Sequence, residues 1–164
     1  MLLDLKKVFS NDGESCSVDY KLDLSSTDVN GCYPFVSPVS VKGTVKSHDE
    51  FAQLLADVSF DFSIPCDRCT KQINKCYNYT VSHALVLSLQ NEDDGSYIQV
   101  SDYKLDLDEL IRADILLELP TKHLCDINCK GLCSVCGKNL NDGACNCDLH
   151  QIDPRLEALK KLID

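Results

Sequence analysis

Val58-Ser-Phe-Asp-Phe-Ser-Ile64-Pro-Cys66-Asp-Arg-Cys69 is the stretch on which the fold turns. Val58, Phe60, Phe62 and Ile64 alternate with Ser59, Asp61 and Ser63. A period of two residues marks a strand with one dry and one wet face. A second run of the same kind, Tyr77, Tyr79, Val81, His83, Leu85, Leu87 and Leu89, lies in a strand that starts near Ile73. Two strands so close together flank Cys66-x-x-Cys69, which therefore sits at the tip of a β-hairpin, where a tight turn can aim two thiolates at one ion.

Upstream, Cys16, Val18, Tyr20 and Leu22 alternate with polar neighbours, as do Val39, Val41, Gly43 and Val45. Short connections between such runs favour antiparallel pairing. Phe51 to Ala56 (FAQLLA) reads as the start of a helical turn with no assigned place, and Asn91 to Ser96 (NEDDGS) as an exposed acidic turn. From Leu105 the period changes. Asp106 is an N-cap with Glu109 at the capping-box position. Leu107, Leu110, Ile111, Asp114 and Leu117 share one helical face, its apolar character interrupted by Asp114, and Pro120 ends the helix, which runs near 106–119. Asp153 and Pro154 open a short C-terminal helix carrying Leu156, Leu159 and Leu162 on one side. The expected fold is α+β: a mainly antiparallel β domain with one mid-chain helix, a cysteine-rich zinc-knuckle segment and a short C-terminal helix. Its expected parts are a β-rich domain at 1–120, a zinc-binding segment at 121–150 and the last helix at 151–164.

Residues 121–150 hold six cysteines and almost no core formers, so metal must replace a core there. Cys133-Ser-Val-Cys136-Gly137 and Cys145-Asn-Cys147 form one compact four-thiolate set, with Gly137 supplying the backbone freedom such a turn wants. Cys125-x3-Cys129 and Cys66-x2-Cys69 each lack a pair within their own segments. The economical solution joins them around a second ion and staples the C-terminal segment to the hairpin. His123 reads as a solvated loop histidine, with a substitute ligand as the alternative. Cys16 reads as a small buried hydrophobe, and Cys32 and Cys76 have no assigned partner.

Two zinc sites with four thiolates each are closed, leaving no position for water or substrate. An enzyme is therefore not expected, nor a small-molecule substrate. The four histidines form no triad or acid–base spacing, and there is no glycine-rich phosphate loop. Asp106/Asp108/Glu109 and Glu92/Asp93/Asp94 read as a helix start and a solvated turn. Met1 to Phe9 is too short and too charged for a signal peptide, and no apolar run approaches a membrane span. The expected location is the cytoplasm, where thiols stay reduced. The eleven cysteines are odd in number, which also argues against complete disulfide pairing.

The net charge is −10, with a pI near 4.7. Phosphate backbones repel such a chain, so contact with nucleic acid must be local or made through a protein. Arg68, Lys71 and Lys75 face Asp67 around the first knuckle, and Lys122, Lys130 and Lys138 face Asp126 around the others. These cations either form an RNA-facing patch or offset the charge of the thiolates. Lys130, Lys138, Asn139 and Asn141 are the candidate partner-binding residues; turn stabilisation is the alternative role for the two asparagines.

Four pieces together resemble the YceD family of bacterial and plastid proteins. They are Cys66-Asp-Arg-Cys69 after a strand, the helix LDLDELIRADILLELP (105–120), the segment LCDINCKGLCSVCGKNLNDGACNC (124–147) and the closing DPRLEALKKL (153–162). The Gly131 to Asn141 core is the most specific of them, and the resemblance covers about residues 50 to 164. It implies a role in the accumulation of large-subunit ribosomal RNA, hence ribosome biogenesis, with ribosomal proteins or a large-subunit precursor as partners. A basic ribosomal protein suits the charge better than naked rRNA. Two other classes remain: a redox-sensing zinc–thiolate switch, since Cys145-x-Cys147 beside Cys133-x-x-Cys136 resembles, in reversed order, the zinc switch of redox-activated chaperones, and a general structural adaptor.

Overall fold

Period-two patterning accounts for most of the regular secondary structure. The computed structural model describes residues 1–11, 13–48, 51–88 and 97–147. Its elements in chain order are β1 (Leu2–Asp4), α1 (Lys6–Ser10), β2 (Ser15–Leu22), β3 (Val39–His48), β4 (Phe51–Pro65), β5 (Gln72–Val86), β6 (Tyr97–Gln99), β7 (Lys104–Asp106) and α2 (Leu107–Glu118). A turn of 3-10 helix, Ser101–Tyr103, leads into β7. The chain divides into two compact units: Met1–Ile64 with Ile73–Lys122, and Pro65–Gln72 with His123–Asp164.

The first unit is a five-stranded sheet in the order β2-β3-β4-β5-β6, with β1 and β7 paired as a separate antiparallel ribbon. β2 pairs antiparallel with β3, and β3 with β4. Between β4 and β5 the loop is too short for a parallel crossover. Cross-strand contacts step inward together as antiparallel strands require: Ser63 Oγ donates to Asn74 Oδ1 at 2.6 Å, Phe60 stacks on Tyr77 at 5.3 Å between ring centroids, and Thr80 Oγ1 donates to Asp57 Oδ1 at 2.6 Å. The edge departs from the expected pattern. β6 runs parallel to β5, with Leu85 opposite Ile98.

The inward positions anticipated from alternation are buried: Val39, Val41 and Val45 in β3, and Val58, Phe60, Phe62 and Ile64 in β4. FAQLLA is strand rather than helical turn. Ala52, Leu54 and Ala56 point into the core and Leu55 is 49% exposed. Ala, Gln and Leu are good helix formers, but pairing with β3 overrides that weak preference. At the pair Gly43–Ala56 a Cβ on Gly43 would lie 2.6 Å from the Ala56 Cβ, so only glycine lets the strands close there.

Helix α2 begins as expected, with Asp106 accepting from the Glu109 N–H at 3.4 Å. Its buried face is Leu107, Ile111 and Ile115, whereas Leu117 is 84% exposed. Of the expected face only Leu117 is turned out, and Ile115 is buried in its stead. Leu110 and Asp114 are half-buried beside that face, and the Asp114 carboxylate lies 2.8 Å from His83 Nε2 on β5. Cys16 is half-buried against the core rather than buried, Cys32 bridges Val29, and Cys76 is exposed on β5. The expected C-terminal helix at 151–164, Leu89 and the acidic turn at 91–96 lie outside the described residues. No helix among the described residues is long and apolar enough to cross a membrane.

Candidate metal centres

The second unit gathers eight cysteine sulfurs into two groups, Cys66/Cys69/Cys125/Cys129 and Cys133/Cys136/Cys145/Cys147. Within each, the ligand atoms lie within 4.8 Å of one another.

The first centre starts from the turn after β4. The Cys66 N–H donates to the Lys71 carbonyl at 2.8 Å, and Thr70, at φ +58°, donates its N–H to the Cys66 carbonyl at 2.9 Å. Residues 123–132 come alongside this turn. The Asp67 N–H donates to the His123 carbonyl at 2.9 Å, and the His123 N–H returns to Asp67 Oδ2 at 2.7 Å. Further along, the Leu132 N–H donates to the Arg68 carbonyl at 3.1 Å, and Arg68 Nη1 donates to the Cys129 carbonyl at 2.9 Å. Gly131 sits between, at φ +75°, where a Cβ would stand 3.0 Å from the Arg68 oxygen. The two segments touch so closely there that glycine is needed twice over, for its backbone angle and for its lack of a side chain.

This framework brings Cys66 Sγ to 3.9 Å from Cys129 Sγ and Cys69 Sγ to 3.5 Å from Cys125 Sγ. Four sulfurs around one zinc at about 2.3 Å would stand about 3.8 Å apart. N–H groups also point at sulfur: Cys125 N–H at Cys66 Sγ, 3.4 Å, and Asn141 Nδ2 at Cys129 Sγ, 3.3 Å. Donors aimed at sulfur favour the thiolate, the ligating form. Burial pushes the Cys66 thiol up, but the N–H groups of Cys125, Arg68 and Cys69 outweigh it and bring it to about 6. Cys129 is also held below its usual range, first by Asn141. Cys125 moves the other way, to about 12, first because of Cys69. Neighbouring thiols cannot all ionise without a cation among them.

The second centre repeats the chemistry. The Gly137 N–H donates to the Cys133 carbonyl at 2.9 Å, with Gly137 at φ +71°, and the Cys133 N–H donates to the Lys138 carbonyl at 2.8 Å. The Val135 N–H meets Cys133 Sγ at 3.4 Å. Cys133 is brought down to about 6 by the N–H groups of Cys136 and Val135, and Cys147 is pushed up to about 12, first by Cys136. Cys133 is buried, Cys145 and Cys147 are half-buried, and Cys136 is exposed. The soft donor set and the spacing of both groups suit zinc.

Comparison with known proteins covers the cysteine-bearing part of the chain. Residues 54–163 match the family described as "Large ribosomal RNA subunit accumulation protein YceD", a span that holds all eight cysteines. The chain belongs to the YceD family. It is 29% identical to "Uncharacterized protein YlbN" of Bacillus subtilis over 160 residues, covering 92% of this chain and 89% of that protein. It is also 41% identical over 56 residues to the chloroplastic "Large ribosomal RNA subunit accumulation protein YCED homolog 1" of Zea mays, and 38% identical over 50 residues to that of Arabidopsis thaliana. Those stretches cover 34% and 30% of this chain, but only 19% and 16% of the plant proteins. No solved structure matches.

Outside the two cysteine groups, this YceD chain departs from its sequence reading at His123. His123 is buried, at 5% exposure, and belongs to neither sulfur group; its backbone exchange with Asp67 draws it in. Among the candidate partner-binding residues, three are engaged inside the unit. Lys138 Nζ donates to the Ala144 carbonyl at 2.9 Å, Asn139 Oδ1 accepts from both the N–H and Nδ2 of Asn141, and Asn141 Oδ1 accepts from the Lys130 N–H at 2.8 Å. The side chain of Arg68 likewise serves a carbonyl. Spacing shows how Cys133, Cys136, Cys145 and Cys147 group, but not that an asparagine lodged between two of them serves the other group. The signal was present in Asn139-Leu-Asn141, since amide side chains in a ligand loop are natural donors to sulfur.

Proposed function

We propose that this chain is a non-enzymatic, zinc-stabilised factor that supports accumulation of large-subunit ribosomal RNA. The observation that carries the reading is the pair of four-cysteine groups in a chain of the YceD family. Cys66, Cys69, Cys125 and Cys129 would hold one zinc, and Cys133, Cys136, Cys145 and Cys147 the other. Zinc bound by four thiolates acts as a cross-link and offers no open position for catalysis. Eight reduced thiols suit the cytoplasm.

Charge supports a protein contact over naked RNA. The sheet unit carries nineteen Asp and Glu against nine Lys and Arg, which is the whole net charge of −10. A basic ribosomal protein complements that surface, whereas a phosphate backbone does not. Lys130, Lys138, Asn139 and Asn141 shape the ligand loop and present its outer edge to a partner.

The test is affinity capture of the tagged chain from its own cytosol at low salt, with and without RNase. Large-subunit precursors or ribosomal proteins in the eluate support the reading, and their survival after RNase assigns the contact to protein. An eluate without ribosomal components sinks it. A redox-sensing centre is the second reading, favoured by the exposed Cys136 in the group 133/136/145/147. Zinc release by dilute peroxide, with a gain of holdase activity, would support it, and inert zinc would remove it.

A further inference from the structure

Asn141 belongs in sequence to the second cysteine group, on the loop between Cys136 and Cys145, yet its side chain serves the first. Its Oδ1 accepts the Lys130 N–H at 2.8 Å, which orients the amide so that Nδ2 faces Cys129 Sγ at 3.3 Å. Asn141 thus grips one ligand twice, at the sulfur and at the peptide that follows it. Asn139 Oδ1 takes the remaining amide hydrogen at 2.8 Å. The loop that carries Asn141 is pinned by the Leu140 N–H on the Gly131 carbonyl, 2.9 Å, by the Leu132–Asn139 bridge and by Lys138 Nζ on the Ala144 carbonyl. Both ends of that loop are ligands of the second group.

We infer that Asn141 is the outer-sphere donor that sets metal retention at Cys66/Cys69/Cys125/Cys129, and that the second group, by closing its loop, delivers it. An N–H aimed at a zinc-bound thiolate offsets part of the four-thiolate charge and fixes the sulfur's direction. Losing such a partner lowers metal affinity by about 10-fold to 100-fold. The two sites are then linked: an ion at the second holds the donor that strengthens the first. This rests on the zinc reading above.

The experiment uses the full chain loaded with zinc. Chelator is raised in steps, free thiols are alkylated with N-ethylmaleimide, and each cysteine peptide is read by mass spectrometry. Wild-type protein without two zinc ions and eight protected thiols would defeat the zinc reading itself. Given wild-type loading, Asn141→Ala should expose Cys66, Cys69, Cys125 and Cys129 at chelator at least about tenfold lower. Asn141→Asp is the sharper variant. It keeps the shape and the acceptor for Lys130 but turns an oxygen toward the sulfur, so it should lose at least as much as alanine. Wild-type protection in Asn141→Asp overturns the donor role. Cys145→Ser, which opens the second group, should also lower protection of the first about tenfold; unchanged protection there overturns the linkage. If Cys145→Ser does not fold, the Asn141 pair decides alone, because it removes no ligand.

Discussion

In the sheet unit, the buried positions of β3 and β4 are all apolar: Val39, Val41, Val45, Ala52, Leu54, Ala56, Val58, Phe60, Phe62 and Ile64. Residues 65–72 and 123–147 bury no aliphatic or aromatic side chain. Their buried side chains are Cys66, Cys69, Cys129, Cys133 and His123, and Ile127 and Val135 stand exposed at 84% and 65%. One unit excludes water from a core. The other, in its described residues, gathers its buried side chains at the two sulfur groups, laced by N–H groups. The difference teaches where each unit is vulnerable.

Chelation should produce the largest separation. Structural zinc contributes about 10 kcal/mol or more of folding free energy to a domain that has no other core. Excess chelator at neutral pH should open residues 65–72 and 123–147 to trypsin at Arg68, Lys71, Lys130 and Lys138. The sheet's amide protection should persist. Simultaneous loss of both units would break the comparison.

A core truncation should do the reverse. Phe62 is 2% exposed and lies edge-on to Phe35 and Tyr77. Phe62→Ala should cost about 3–5 kcal/mol by denaturant titration, with two zinc ions still bound per folded chain. Zinc loss in step with sheet stability would refute independent support.

Gly131→Ala tests the closest approach within the cysteine unit. A left-handed backbone and a Cβ 3.0 Å from the Arg68 oxygen should together cost about 1–2 kcal/mol. The loss should register as weaker metal retention and leave the sheet's melting transition in place. An unchanged zinc titration would show that the two segments can part without cost.

The smallest effect is expected at the sheet–helix contact. Asp114→Ala removes the carboxylate facing His83 and should destabilise the sheet unit by about 1 kcal/mol, read as a drop of a few degrees in Tm. Zinc content should not change, and a rise in Tm would show that burying Asp114 costs more than the contact returns.

The strands were legible wherever apolar residues alternate cleanly, as in β4 beyond Ala56 and in β5. FAQLLA was not, because Leu55 breaks the alternation and the residues themselves favour helix. The helix was legible at its cap, since Asp106 and Glu109 act over one turn. Its buried face was legible at Leu107 and Ile111 but not at Ile115, because Ile115 and Leu117 are equally apolar and only packing against the core decides between them. The parallel edge strand β6 left no local mark either, since three residues carry too little pattern to show a direction.

The cysteines divide along the same line. The grouping of Cys133, Cys136, Cys145 and Cys147 is written in their spacing, because a short turn by itself turns two sulfurs toward one point. Cys66/Cys69 and Cys125/Cys129 could be joined only by elimination. Tertiary structure brings them together through Asp67–His123, Arg68–Leu132 and the bare Gly131. Sequence alone determined the period of the strands, the helix start and the paired-cysteine turns, since each is settled by neighbours a few residues apart. Which turns meet, which helix face is buried and which asparagine reaches a sulfur were decided by contacts between distant segments. Such contacts exist only once the chain has closed its long loops around a core or an ion.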